Sequence, residues 1–143
     1  MGSVKRVLLD TNMLLVPGQF KVDIFSEIER LMDEPYELVV VDGTLKELER
    51  IQASGSGEDK RAARLGLMLL EHQRARDAPA LAAGKCKGLK TIPGSVAYVD
   101  DAIFAIAEDD TLVATNDGDL KRRLLERGVR VIFLKQRQYL ALS

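Results

Sequence analysis

One histidine, His72, and one cysteine, Cys86, are all the imidazole and thiol that 143 residues supply. That scarcity excludes a ribonuclease mechanism passing protons between two histidines, and equally a zinc site assembled from Cys and His. A lone cysteine forms no internal disulfide, and no neighbouring residue suggests an activated thiol. His72, between Glu71 and Gln73, reads as a surface or partly packed side chain. The chain lacks a Gly-rich loop ending in Gly-Lys-Ser/Thr and a Gly-x-Ser-x-Gly elbow, which makes triphosphate hydrolysis and serine acyl chemistry poor readings. No apolar run is long enough to span a membrane, and Met1-Gly2-Ser3 leads straight into a strand-like segment. Neither a signal peptide nor a membrane partner is therefore expected, and the cytoplasm is the expected address. Charge of one sign is not in excess either: 21 Lys and Arg stand against 22 Asp and Glu, for a net charge of -1. Distribution, not total, must identify a polyanionic partner.

What is present is a core. At 46% hydrophobic content the chain is expected to form one domain, residues 1–143, without a disulfide or structural metal. Strand-like runs rich in Val, Leu and Ile occur at Val4 to Leu9, Glu37 to Val41, Thr111 to Thr115 and Val129 to Leu134. A short fifth falls near Leu89 to Ile92. Helical spacing separates them, over Val22 to Met32, from Gly43 or Thr44 through Ile51, from Asp59 to Arg76, from Tyr98 to Glu108, and from Leu120 to Arg127 with Gly128 as the stop. On the third of these helices, Ala62, Leu65 and Met68 or Leu69 form the expected apolar stripe. Alternation of this kind predicts an α/β fold around a mostly parallel sheet of four to five strands.

Acids stand at the ends of these runs. Asp10 follows Val7-Leu8-Leu9, Asp101 opens Ala102-Ile103-Phe104, Asp117 and Asp119 follow Leu112-Val113-Ala114-Thr115, and Glu47 comes one helical turn after Leu38-Val39-Val40-Val41. Singly, each has a plain structural role. Asp10 suits a turn or helix cap, Glu47 stands three residues after Thr44 as in a capping box, Asp100 and Asp101 suit a helix start, and Asn116-Asp117-Gly118-Asp119 is turn chemistry. Together they weigh differently, because in a parallel sheet the carboxyl ends of strands share one crevice. Two carboxylates about 5 Å apart, at an effective dielectric near 20, repel by roughly 3 kcal/mol. A converging set therefore implies a bound cation or raised pKa values, and an oxygen-only site suits Mg²⁺ or Mn²⁺. Lys121, Arg122 and Arg123, with Lys85, Lys87, Lys90 and the basic side of the third helix, are candidates to flank that crevice and hold a phosphate backbone. The alternative for each is a solvated helix face.

At this point the chain resembles the PIN-domain nucleases, over nearly its full length. The residues that carry the likeness are Asp10-Thr11-Asn12, Glu47-Leu48, Asp101-Ala102-Ile103-Phe104-Ala105-Ile106-Ala107, and Thr115-Asn116-Asp117-Gly118-Asp119-Leu120, in that order. The resemblance implies a three-layer α/β/α sandwich and a metal-dependent endoribonuclease cleaving single-stranded RNA. Asp10, Glu47, Asp101, Asp117 and Asp119 would be its catalytic and metal-holding acids, with one or two Mg²⁺ or Mn²⁺ ions. Thr11, Asn12 and Thr115 would hydrogen-bond the acids or the scissile phosphate, and Lys121, Arg122 and Arg123 would touch RNA. The run Val113 to Arg123 looks most like the ribosomal-RNA-processing branch, which would make pre-rRNA the substrate and a ribosome-assembly protein the partner. Toxins of the VapC type share the same acids, and for a toxin the expected partners are an antitoxin and a second copy. A non-catalytic RNA-binding scaffold is the reading of a different class.

Overall fold

The apolar runs become strands because they are buried on both faces, as a parallel sheet between helical layers requires. In the computed structural model, which describes residues 4–75, 84–94 and 110–143, the strands are β1 (Lys5–Leu9), β2 (Tyr36–Val41), β3 (Cys86–Ile92), β4 (Thr111–Ala114), β5 (Val131–Lys135) and β6 (Tyr139–Leu142). They form one sheet in the order β3-β2-β1-β4-β5-β6, parallel throughout except for the antiparallel β5–β6 pair. The described helices are α1 (Thr11–Phe20), α2 (Ile24–Leu31), α3 (Asp42–Ser54), α4 (Gly57–Ala75) and α5 (Gly118–Glu126). The helix expected over Tyr98 to Glu108 lies outside the described residues. No helix among the described residues is long and apolar enough to cross a membrane.

Alternate residues of the strands divide the core in two. Val7, Leu9, Leu38, Val40 and Ala114 pack with Met13, Leu14, Ile28, Leu48 and Leu70 from α1 to α4. Leu8, Val39, Val41, Val113 and Val131 pack on the other face against Leu120 and Leu124 of α5. The result is the expected α/β/α layering.

The sheet has six strands, where four to five were expected. The sixth arises from a tight turn: Gln138 N–H donates to the Lys135 carbonyl at 3.1 Å, with Gln136 and Arg137 both at a φ of 56°. Two successive positive φ values match the hairpin turn whose twist suits flanking strands, but that turn ordinarily carries Asn-Gly. Gln-Arg hides it from the sequence. The outer edge of β6 is then covered by α2. Arg30 Nη2 donates to the Leu140 carbonyl at 2.8 Å and Leu140 N–H donates to Glu27 Oε1 at 3.0 Å, while Glu27 and Arg30 are themselves paired at 2.9 Å. An uncovered edge strand invites pairing with other chains; here one ion pair occupies both backbone groups of Leu140.

This clamp is sensitive to acid. The hydrogen bond from Arg30, helped by the Leu140 amide and opposed by partial burial, holds the Glu27 carboxyl below the usual carboxylate range. Its contribution to stability is therefore present above the unfolded glutamate pKa and is lost as pH falls through the lower folded value. Glu27→Gln should cost about 1 kcal/mol at pH 7, and the gap from wild type should close below about pH 4. Urea titrations of both proteins at pH 7 and pH 3.5 measure it; an equal gap at both would reject the clamp.

A second departure concerns α1 and α4. The segment after Asp10 is helical despite Pro17 within it, and ends on Lys21 in the left-handed region at a φ of 58°. It crosses α4 at very short range: a Cβ on Gly66 would lie 2.6 Å from the Leu14 carbonyl oxygen, and one on Gly18 would lie 2.6 Å from the Ala62 Cα. The buried stripe of α4 is accordingly Ala62, Ala63, Gly66 and Leu70; of the two expected alternatives, Leu69 packs against the core and Met68 is 61% exposed.

Candidate active site at the carboxyl edge of the sheet

β1 and β4 are neighbours with Leu9 opposite Ala114, so the residues that follow them, Asp10 and Thr115, leave the sheet at one edge. The Asp10 N–H donates to the Ala114 carbonyl at 3.0 Å, which ties the two exits together. Asp10 is fully buried. Its Oδ1 accepts from the Thr11 N–H at 2.8 Å and its Oδ2 from the Thr115 hydroxyl at 2.6 Å. Thr115 Oγ1 in turn accepts from the Asp117 N–H at 3.1 Å and lies 3.3 Å from Asn12 Oδ1. Asn12 Oδ1 also accepts from the Asn116 N–H at 2.8 Å. Side chains more than a hundred residues apart in sequence thus form one hydrogen-bonded unit, joining Asp10-Thr11-Asn12 to Thr115-Asn116-Asp117.

The cap roles weighed for the acids are also real. Asp10 is the N-cap of α1, and Asp117 is the N-cap of α5, its Oδ1 accepting from the Asp119 and Leu120 amides at 2.9 and 3.2 Å. A capping carboxylate and an edge carboxylate are here the same group. Asp119 is exposed and pairs with Arg122, and at 3.9 Å with Arg123.

β2 delivers α3 to the same edge. Its N-cap is Val41, with no side-chain bond, so Thr44 lies inside the helix and the capping-box reading of Glu47 lapses. Glu47 pairs instead with Arg50. The hydroxyls of Thr11 and Thr44 are buried without a hydrogen-bond partner among the described residues. One acid at this edge escaped the sequence reading: Asp42, directly after Val41, accepts from the Gly94 N–H at 3.0 Å. Its signal, an acid immediately after an apolar run, is the one that marked Asp10. Asp100 and Asp101 lie outside the described residues. Among the described residues, no three His, Cys, Asp or Glu side chains are grouped to hold a metal ion. The donors present at the edge are carboxylate, hydroxyl and carboxamide oxygens, the chemistry that hard divalent cations take.

The basic residues are largely engaged. Arg122 bonds Asp119 and Glu126, and Lys121 Nζ sits 3.5 Å from the centroid of the Phe133 ring, a cation–π contact. Lys85 Nζ donates to the Met32 carbonyl at 2.6 Å, and Lys87 Nζ to the Gly84 carbonyl at 3.3 Å. His72 is exposed and Cys86 half-buried.

Comparison with known proteins gives concordant matches. A model of the PIN-like domain family matches residues 7–137. Over 138 residues the chain is 30% identical to ribonuclease VapC4 of Methanocaldococcus jannaschii, covering 94% of this chain and 93% of that protein. It is 26% identical over 136 residues to ribonuclease VapC9 of Archaeoglobus fulgidus, covering 94% and 87%. The solved structure of Utp24, described as a PIN domain endonuclease, superposes with a TM-score of 0.67 at 22% identity, over 96% of this chain and 90% of that one.

Proposed function

The chain belongs to the PIN-like domain family, and from that premise we propose that it is a metal-dependent endoribonuclease of the VapC type, cutting single-stranded RNA by attack of water on the phosphodiester. The observation that carries the reading is the buried Asp10 carboxylate, oriented by Thr115 across the β1–β4 boundary, in a chain that aligns nearly end to end with proteins named as ribonucleases.

Asp10, Glu47, Asp101 and Asp117 are the proposed holders of one or two Mg²⁺ or Mn²⁺ ions, which when bound neutralise negative charge and make water a stronger nucleophile. Among the described residues no three acids group to hold an ion, and Asp101 is the proposed further member of the set. Asp117 is preferred to Asp119 as fourth acid. It is half-buried and fixed by its cap bonds, whereas Asp119 is 63% exposed and neutralised by two arginines. Thr115 positions Asp10, its single proton committed to Oδ2.

The toxin reading is preferred to rRNA processing. Likeness to Utp24 at 22% identity supports the fold alone, while the residues that had favoured processing, Lys121, Arg122 and Arg123, are engaged with Phe133, Asp119 and Glu126. An antitoxin is the corresponding partner, with a second copy of the chain as a further one. Purified protein incubated with an end-labelled, unstructured RNA is expected to make internal cuts with Mn²⁺ and none with EDTA. Retention of RNA without cuts under any divalent ion would favour the scaffold and overturn the nuclease.

A further inference from the structure

We infer that Asn12 is a substrate-contacting residue whose Nδ2 amide donates a hydrogen bond to a non-bridging oxygen of the scissile phosphodiester. The inference rests on the nuclease reading above and adds to it the group that receives the anion.

The two ends of an asparagine amide are distinguished by their partners. At Asn12 the partner decides without ambiguity, because the Asn116 main-chain N–H, 2.8 Å away, is only a donor. The atom facing it must be Oδ1. Nδ2 is therefore on the side away from it, and neither of its protons has a partner among the described residues. Asn12 is half-buried, so the donor is held but reachable.

Other groups at this edge are poorer receivers of a phosphate. Asp10, Glu47 and Asp117 are carboxylates. The Thr115 proton goes to Asp10. The Thr11 and Thr44 hydroxyls are sealed from solvent. Asn116 has an exposed side chain that makes no bond of its own, so its amide is not pre-oriented. Asn12 offers a neutral donor, fixed in advance by a backbone contact, one hydrogen bond from the residue that orients Asp10. Pre-oriented donors of this kind are worth most where charge changes during reaction.

Asn12→Asp tests this, since the new carboxylate keeps the acceptor contact with the Asn116 N–H and replaces only the donor. Single-turnover cleavage should fall about 100-fold, and the dissociation constant for single-stranded RNA, measured with Ca²⁺ in place of Mg²⁺, should rise about 10-fold. The melting temperature should stay within a few degrees. The added negative charge is separated from the lost donor by phosphorothioate RNA. In wild type, one stereoisomer should be slow in a way that Cd²⁺ does not relieve, and in Asn12→Asp that sulfur should cause no further slowing. If wild type cuts RNA while Asn12→Asp cuts equally fast, or keeps the full sulfur effect, this inference falls and the nuclease assignment stands. If wild type cuts nothing, both fall.

Discussion

Asp10→Asn is expected to lower Mn²⁺-dependent cleavage of an unstructured RNA by about 10³-fold or more while leaving a folded protein, because it removes charge without removing volume. The buried carboxylate serves two masters, accepting from the Thr11 amide and from the Thr115 hydroxyl. An asparagine supplies only one oxygen, so one of these bonds must be lost or reversed. That costs about 1–2 kcal/mol, a fall of a few degrees in melting temperature for a domain of this size. The rate loss should far exceed what such destabilisation explains. Thr115→Val should give a smaller defect, about 10-fold, because it frees Asp10 to turn while keeping its charge. Cleavage rates with excess enzyme, alongside thermal melts, separate the two. Undiminished cleavage by Asp10→Asn would remove Asp10 from the site.

Gly66→Ala is expected to be a damaging change in the helical layer although it is conservative, lowering stability by about 2–3 kcal/mol. Alanine is the better helix former by about 1 kcal/mol, and on an open helix surface it would stabilise. Here its Cβ would meet the Leu14 carbonyl oxygen at 2.6 Å. That atom belongs to the backbone of α1, so relief requires moving a helix whose Met13, Leu14 and Val16 are fully buried. The sterics outweigh the propensity. Gly57→Ala, on the same helix, would meet nothing nearer than the end of the Arg61 side chain at 3.9 Å and should lie within about 0.5 kcal/mol of wild type. Denaturant midpoints for the pair decide it; a Gly66→Ala protein as stable as Gly57→Ala would show that the two helices separate freely.

The parts of this molecule legible in its sequence are those set by local apolar pattern. The strands β1, β2, β4 and β5 and the shared edge of β1 and β4 follow from short Val, Leu and Ile runs between helical stretches, and β3 shows its Leu89 to Ile92 half. What escaped was decided by contact. α1 buries Thr11, Met13, Leu14, Val16 and Pro17 and holds Pro17 and Gly18 in its last turn, so its apolar run shows no clear helical periodicity and includes the two poorest helix formers. On α4 Gly66 joined the buried stripe because a small residue lets α1 approach, and hydrophobicity does not report closeness. β6 depends on a turn made by Gln136 and Arg137, whose backbone shape their side chains do not advertise. At the edge, Asp10 and Asp117 stood out as acids after apolar runs. Thr11, Asn12 and Thr115 came in only through the family resemblance, because hydrogen-bond partners far apart in the chain leave no trace in spacing.

That separation has a temporal side. Asp10 and Thr115 touch across 105 positions of sequence, and the strand that carries Thr115 inserts beside β1 in the middle of the sheet. During vectorial synthesis Asp10 waits, its carboxylate not yet latched to Thr115, until about a hundred further residues have emerged and docked. The edge that joins Asp10 to Thr115 is thus completed long after β1 itself has been made.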